Sequence, residues 1–351
     1  MSVFNGKKLK IEIYGESHAE KIGVRVSGMP EFCFDEDKLL KFLERRKASG
    51  AVYSTARAED DIPVLYGAAG GRINGDFTAE IFNKNVRSGD YNDLYGRPRP
   101  SHADYAWHKK DGALDYFGGG RFSGRLTAPF CVIGGICKQY LESRGVKIDA
   151  YISKIGKVKG VSYKDKGFST DMLSRLEGAT FPSLSNAENM LLRIDSAKKN
   201  LDSVGGVIEC IVRGYPAGIG NDLFEGLEGK IALLCYSVPA VKGVEFGGGF
   251  SMSETTGKKA NDELYFENGE VKFSSNNSGG VNGGISNGNY LSLAVAIKPT
   301  ASIARAQKTV DLISGKTVKI KIKGRHDSCI APRAVPVIES AVAIALTDEL
   351  I

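Results

Sequence analysis

Four histidines stand among 351 residues: His18, His102, His108 and His326. Three of them lie in short runs dense in Gly, Arg, Ser or Asp, namely "YGESHAEKIG" (14–23), "RPSHADY" (99–105) and "KGRHDSCIAPRAVP" (323–336). Imidazole is the side chain that most readily takes or gives a proton near neutral pH. The distribution asks whether distant segments converge on one proton-transferring pocket. The other chemically loaded runs are rich in Gly and Arg. "FGGGRFSGR" (117–125) places three glycines before Arg121, Ser123 and Arg125 and leads into a helix. Backbone N–H groups, a hydroxyl and guanidinium groups together make an anion site there. "NNSGGVNGGISNGN" (276–289) is a second loop, whose Asn amides suit a heterocycle edge. "IKPTASIA" (297–304) brings Lys298, Thr300 and Ser302 to a strand end, and the run at 323–336 adds Arg325, His326, Asp327 and Arg333.

Familiar motifs fail on spacing. "SGKT" (314–317) ends like a phosphate loop, but Val310 holds the earlier glycine position and a strand follows. No GxGxxG follows a predicted strand, and there is no GxSxG and no HExxH. Six cysteines show neither CxxC nor metal-ligand spacing and sit mostly in apolar runs, as free buried thiols do. No metal site is expected.

These loops need a frame, and the hydrophobic pattern supplies one. Residues 10–26 read as two strands joined at the GESH turn. Residues 35–47 carry Leu39, Leu40 and Leu43 at helical spacing and end in Arg45, Arg46 and Lys47. Residues 50–120 read as loop-rich. Leu126–Arg144 reads as a buried helix, and Ser185 with Glu188 as a capping box for a helix reaching Lys199. Val207–Arg213 reads as a strand turned by "GYPAGIG" into a further helix, Leu291–Lys298 and Val318–Lys323 as strands, and Val337–Leu346 as an apolar helix. Two stretches look alike: a strand, "SGMP" and an acidic helix start, then a strand, "RGYP" and "NDLFEGLEGKIALL". They suggest two related β-α units inside one domain, since no linker separates them.

The net charge is +6 and the sequence pI about 8.8, without a basic tail. Nucleic-acid binding is therefore not favoured over a small polyanionic substrate. No stretch reaches the roughly 20 apolar residues of a membrane span. A reduced, cytoplasmic protein is the expectation.

Nine ordered segments carry a family resemblance: "YGESH", "LERRK", "RPSHADY", "GGGRFSGRLTA", "DSVGGVIECIVRGYPAGIG", "SVPAVKGVEFGGGF", "NNSGGVNGGISNG", "KPTASI" and "GRHDSCIAPRAVPVIE". Along nearly its whole length the chain resembles chorismate synthase. The resemblance implies an α+β fold of the β-α-β sandwich kind, with helices packed between antiparallel sheets, as one domain over 1–351. It implies a carbon–oxygen lyase that removes phosphate from 5-enolpyruvylshikimate 3-phosphate by anti-1,4-elimination, giving chorismate, the last common step of the shikimate pathway to aromatic amino acids. Reduced FMN is the implied cofactor, with NADPH as an indirect reductant. Whether the chain reduces flavin itself or relies on a separate flavin reductase stays open. A homotetramer is the implied assembly. Two anionic ligands side by side require many fixed cations, and Arg suits carboxylates and phosphates alike.

The resemblance also implies roles. His18 looks like the family histidine that protonates or hydrogen-bonds the departing phosphate, and His102 like the one beside the flavin. Asp327 resembles the aspartate near flavin N5, with Ser17 completing a proton relay. For FMN the matching positions are Arg121, Phe122, Ser123, Pro239, Ala240, Gly283, Lys298, Pro299, Thr300, Ala301, Ser302 and Arg325. Arg46 matches a position that binds nucleotide or substrate, and Arg125 and Arg333 are read as holding substrate anions, with Lys47 and Arg57 beside them. Four positions depart from the family pattern. Val52 replaces an arginine, Leu126 a glutamate, and Ala19 and Ser101 replace glycines, so the first loop should hold its anion differently.

Overall fold

Ile22, Val24 and Val26 alternate with Lys21, Gly23 and Arg25, and this period of two turns one face of a strand to the core. A computed structural model describes residues 1–48, 51–54, 60–83, 94–114, 119–322 and 326–351. Its first half contains β1 (Ser2–Asn5), β2 (Lys10–Tyr14), β3 (Lys21–Ser27), β4 (Phe32–Cys33) and helix α1 (Glu36–Glu44). After these come β5 (Val64–Tyr66), β6 (Arg72–Ile73), β7 (Phe77–Phe82), α2 (Asp104–Asp111) and α3 (Thr127–Ser143). The second half runs through β8 (Lys147–Ile155), β9 (Val158–Lys159), α4 (Ala187–Lys199), β10 (Gly206–Arg213), α5 (Leu227–Ser237) and β11 (Val241–Phe246). The short α6 (Gly257–Ala260) precedes the hairpin β12 (Leu264–Glu267) and β13 (Glu270–Phe273) and the smaller pair β14 (Val281–Asn282) and β15 (Ile285–Ser286). The chain closes with β16 (Leu291–Ile297), the ribbon β17 (Gln307–Asp311) and β18 (Lys316–Ile320), and α7 (Ala331–Leu350).

Two five-stranded sheets result, in the orders β1-β2-β3-β7-β5 and β11-β16-β10-β8-β9, with antiparallel pairing throughout the described residues. Helix α3 packs on β3 and β7, α7 packs on β8 and β10, and α3 packs on α7. The two helices are therefore covered by a sheet on one side and by each other on the other. That is why both are apolar nearly all round rather than along one stripe. Gly134 allows the crossing, since a Cβ there would lie 2.1 Å from the Cβ of Ser340.

The strand paths β2-β3-β7-β5 and β8-β10-β16-β11 run alike. In each, a helix follows the second strand (α1 or α5) and a long buried helix ends the unit (α3 or α7). Gly28 (φ 85°) and Gly214 (φ 77°) fill the same place in both turns. A Cβ on the first would meet the Lys8 carbonyl at 2.1 Å and on the second the Gly145 carbonyl at 2.4 Å.

Three expectations are corrected. The stretch 50–120 holds more than loops, because β7 buries Phe77, Ala79 and Ile81 beside β3. Ser185 does not cap α4: Asn186 in the left-handed region (φ 59°) is the N-cap, and the Ser185 hydroxyl instead accepts the Val161 N–H at 2.9 Å. Helix α7 starts before Val337, at Ala331, with Pro332 in its first turn and Pro336 tolerated inside. Cys33 is exposed and the other five cysteines are buried free thiols, as their apolar settings imply.

Candidate active site

The first turns of α3 and α7 open onto one cavity of about 830 Å³. Thr127 lines it from α3, and Ile330, Arg333 and Ala334 line it from the start of α7. The positive dipole ends of two long helices thus face a shared space, an arrangement that favours anions. Loops from both halves complete the wall. They bring together Arg46, His102, Arg121, Phe122, Ser123, Arg125, Pro239, Ala240, Lys298, Pro299, Thr300, Ala301, Ser302, Asp327 and Arg333, all expected from the sequence. His326 also lines the cavity, beside Asp327.

His102 is held by a compact ion cluster. Its Nδ1 lies 2.5 Å from Asp104 Oδ1 and 3.1 Å from Arg99 Nη2. Arg99 donates to both Asp104 oxygens, from Nε at 2.7 Å and from Nη2 at 2.8 Å, while its backbone N–H adds a third bond at 2.9 Å. Burial pushes the Asp104 carboxyl up, but bonds from Arg99 and His102 outweigh it and hold the group well below the usual carboxylate range. A carboxylate fixed on Nδ1 sets the ring's orientation and leaves Nε2 as the nitrogen available to a ligand. The bend that permits this includes Ser101 at φ 59°, whose carbonyl accepts from Lys298 Nζ at 2.6 Å. His108, by contrast, serves the end of α2, with Nδ1 3.0 Å from the Ala113 carbonyl.

Arginines form a second group. Arg46 and Arg125 both bind Asp61, one to each carboxylate oxygen. Arg125 Nε also donates to Asn83 Oδ1 at 3.0 Å, and Asn83 Nδ2 donates to the Ala19 carbonyl at 2.7 Å. The GESH turn is thereby linked to Arg125. Arg333 donates from Nη1 to Asp327 Oδ2 at 2.6 Å and from Nε to the Arg46 carbonyl at 2.9 Å. Arg45, next in sequence to Arg46, turns away and binds Glu339 on α7.

The Gly-rich and strand-end segments supply the rest. Arg121 lies over the Trp107 ring, 5.1 Å from its centroid, and Phe122 meets the same ring edge-on at 5.3 Å. Ser123 caps the turn before α3 by accepting the Arg125 N–H at 3.1 Å. Ala240, at φ 74°, accepts the Lys298 N–H at 2.9 Å. Burial, then the nearby charge of Lys242, lowers the Lys298 pKa from its ordinary value. The Thr300 hydroxyl oxygen is buried with no hydrogen-bond partner among the described residues, and Ser302 is buried. A buried hydroxyl without a partner is a donor suited to an anion's oxygen.

Four expected residues lie elsewhere, and two lie outside the described residues. His18 and Ser17 occupy the β2–β3 turn behind the Gly-rich loop, where the Ser17 N–H donates to the Gly120 carbonyl at 3.3 Å. Neither lines the cavity, although the buried Ser17 hydroxyl has no partner among the described residues. Gly283 sits in the β14–β15 turn (φ 62°), and Lys47 follows α1, both off the cavity wall. Arg325 lies outside the described residues, as does Arg57. Asp61, Asn83, Arg99 and Asp104 were missed by sequence reasoning. Only Asp104 carried a signal, two residues after His102 in "SHADY". No group of three or more His, Cys, Asp or Glu side chains able to hold a metal ion occurs among the described residues.

Comparison with known proteins meets this geometry. A family model for chorismate synthase matches residues 9–351. The chain belongs to the chorismate synthase family. The chorismate synthase of Methanococcus aeolicus is 40% identical over 360 residues, covering 99% of this chain and 96% of its own. That of Pyrococcus abyssi is 41% identical over 350 residues, covering 99% and 97%. A crystal structure of chorismate synthase shares the fold with a TM-score of 0.76 at 24% identity, covering 99% of this chain and 92% of that one. The activity is that of a chorismate synthase, a carbon–oxygen lyase acting on phosphates in aromatic amino acid biosynthesis. The family generally requires reduced FMN. No helix among the described residues is long and apolar enough to cross a membrane.

Proposed function

We propose that the cavity between the starts of α3 and α7 is where phosphate is eliminated from 5-enolpyruvylshikimate 3-phosphate, and that its cations divide between two anionic ligands. One observation carries the reading: a single space of about 830 Å³ collects both helix N-termini and most of the cationic and hydroxyl residues expected of both sites. That volume lies toward the top of the range of about 300–1,000 Å³ usual for small-molecule sites. Lys298, Thr300, Ser302, Arg121 and Ser123 fit a cofactor phosphate and ribityl chain, since the Thr300 hydroxyl lacks a partner among the described residues and Lys298 is desolvated. Reduced FMN held there would supply electron density to the eliminating system.

The chain's own residues do the rest. Arg46, Arg125 and Arg333 hold substrate anions through charge-assisted hydrogen bonds. His102, oriented by Asp104, presents a donor beside the flavin. Asp327, steadied by Arg333, stands as the carboxylate that carries a proton from the reacting carbon, with His326 adjacent. His18 and Ser17 sit in the turn against the Gly120 loop, outside the cavity lining, and the link from Ala19 through Asn83 to Arg125 couples their turn to the substrate arginines. The matching strand orders support an internal pseudo-repeat, with the active site where its two long helices begin. A homotetramer would cover the β12–β13 hairpin, where Leu264, Tyr265, Phe266 and Val271 are exposed. The setting we assign is cytoplasmic.

One shared room makes the ligands interdependent, because each neutralises cations that the other must also face. Oxidised FMN should bind at least tenfold more tightly when substrate is present, read by titrating flavin fluorescence. Equal affinities with and without substrate would overturn the shared-cavity reading.

A further inference from the structure

Arg46 and Arg125 have side chains only 4% and 9% exposed, and both close on one carboxylate, Asp61, itself 1% exposed. Two guanidinium groups this close repel strongly where water is excluded, and buried charge without a partner is costly. Asp61 meets that demand with one oxygen each: Oδ2 accepts from Arg46 Nη2 and Oδ1 accepts from Arg125 Nη1. Other groups complete the hold. Arg46 Nη1 points at Thr127 Oγ1 (3.4 Å) and the Gly124 carbonyl (3.5 Å), and Arg125 Nε donates to Asn83. The carboxylate therefore ties the residue just after α1 to the turn that leads into α3 at the cavity wall. Its backbone adopts φ 29°, a left-handed conformation that an ordinary residue keeps only where its surroundings hold it there. Burial raises the Asp61 pKa, but the charges of Arg46 and Arg125 outweigh that and keep it below the ordinary carboxylate value.

We infer that Asp61 is a positioning residue of the reaction: it holds Arg46 and Arg125 side by side as one preformed cationic pair and sets the net charge the substrate's anionic group meets. The inference rests on the reading that this arginine pair receives such a group. Without Asp61 the two guanidinium groups separate, and the substrate must bring them together at the expense of its own binding. Because the pair contacts the substrate before and during reaction alike, the loss falls on KM more than on kcat.

The test compares Asp61→Asn, Asp61→Glu, Arg125→Ala and the Asp61→Asn/Arg125→Ala double variant, all in the full chain with reduced FMN under anaerobic conditions. Asp61→Asn should raise KM about tenfold or more while kcat changes less than about threefold. Asp61→Glu keeps the charge but moves it by one methylene, so its KM should fall between wild type and Asp61→Asn, with a near-normal melting temperature. It carries the test alone if the Asn variant does not fold. In the Arg125→Ala background, Asp61→Asn should add little, because no pair remains to hold. Wild-type or lowered KM in both Asp61 variants, beside a raised KM in Arg125→Ala, would overturn the positioning role while leaving the arginine assignment intact. Fully additive effects in the double variant would overturn it as well. Wild-type KM in Arg125→Ala would remove the anion-site reading itself, and this inference with it.

Discussion

Glu339 is where the loss of one charge should be felt across the most elements. Its side chain is 2% exposed inside α7 and accepts from Arg45 Nη1 at 2.9 Å and Nη2 at 2.7 Å. Lys138 on α3 donates at 2.6 Å, and the Ala150 N–H on β8 donates at 3.2 Å. Burial alone would raise its pKa, but the charges of Arg45 and Lys138 hold it down to about 2. Against an unfolded value of about 4.3, that depression corresponds to about 3 kcal/mol at neutral pH. Breaking a buried ion pair from one side costs about 3–5 kcal/mol. Arg45 is 40% exposed and can hydrate when its partner is lost, which favours the lower end. Glu339→Gln should therefore lower the unfolding free energy by about 3 kcal/mol at pH 7, measured by urea denaturation. The sign with pH is set by the depressed value. Wild-type stabilisation is complete above about pH 4.3 and disappears as pH falls through about 2, so the gap to Glu339→Gln should close over that interval. A gap below about 1 kcal/mol at pH 7, or one that persists unchanged to pH 3, would refute the reasoning.

Gly134→Ala should destabilise by at least about 2 kcal/mol, because α3 and α7 must part to admit the methyl group. Gly229→Ala in α5, where a Cβ meets nothing within 4 Å, should instead be neutral or stabilising by up to about 1 kcal/mol, and melting curves of the two compare them directly. Flavin titrations across pH should show FMN affinity falling as pH rises toward the lowered pKa of Lys298, since an anion binds the protonated ammonium group. Lys298→Gln should bind more weakly at pH 7 and lose most of that pH dependence. An unchanged pH profile would remove Lys298 from the phosphate site.

Strands and helices with a strict period are legible in the sequence itself. The alternation of 21–27, the apolar run of α3 and the basic turn after α1 all lie where the pattern puts them. So do the Gly- and Arg-rich loops that line the cavity, because their composition reports a local need for tight turns and cations. β7 is hard to read because Phe77, Ala79 and Ile81 alternate among Gly and Asp residues that speak for loop. The capping-box pattern at Ser185 fails because the left-handed backbone of Asn186 starts the helix one residue later and the Ser185 hydroxyl is bonded to the Val161 N–H.

What the sequence determined by itself is chemistry and local shape: which segments carry imidazole, guanidinium and hydroxyl groups, and which must be buried. Those properties depend on residue type and on neighbours within a few positions. Tertiary structure decided which charges face one another. Asp61 is an unremarkable acid in "AEDDIP" until the end of α1 and the start of α3 bring two arginines to it from 15 and 64 residues away. Glu339 likewise reads as one polar residue in an apolar helix, and acquires its partners only from α1, α3 and β8. Coulomb interaction depends on distance in space and on exclusion of water. Neither quantity exists along an unfolded chain, so the counter-ions that hold the site in place became visible only when the two sheets closed over their helices.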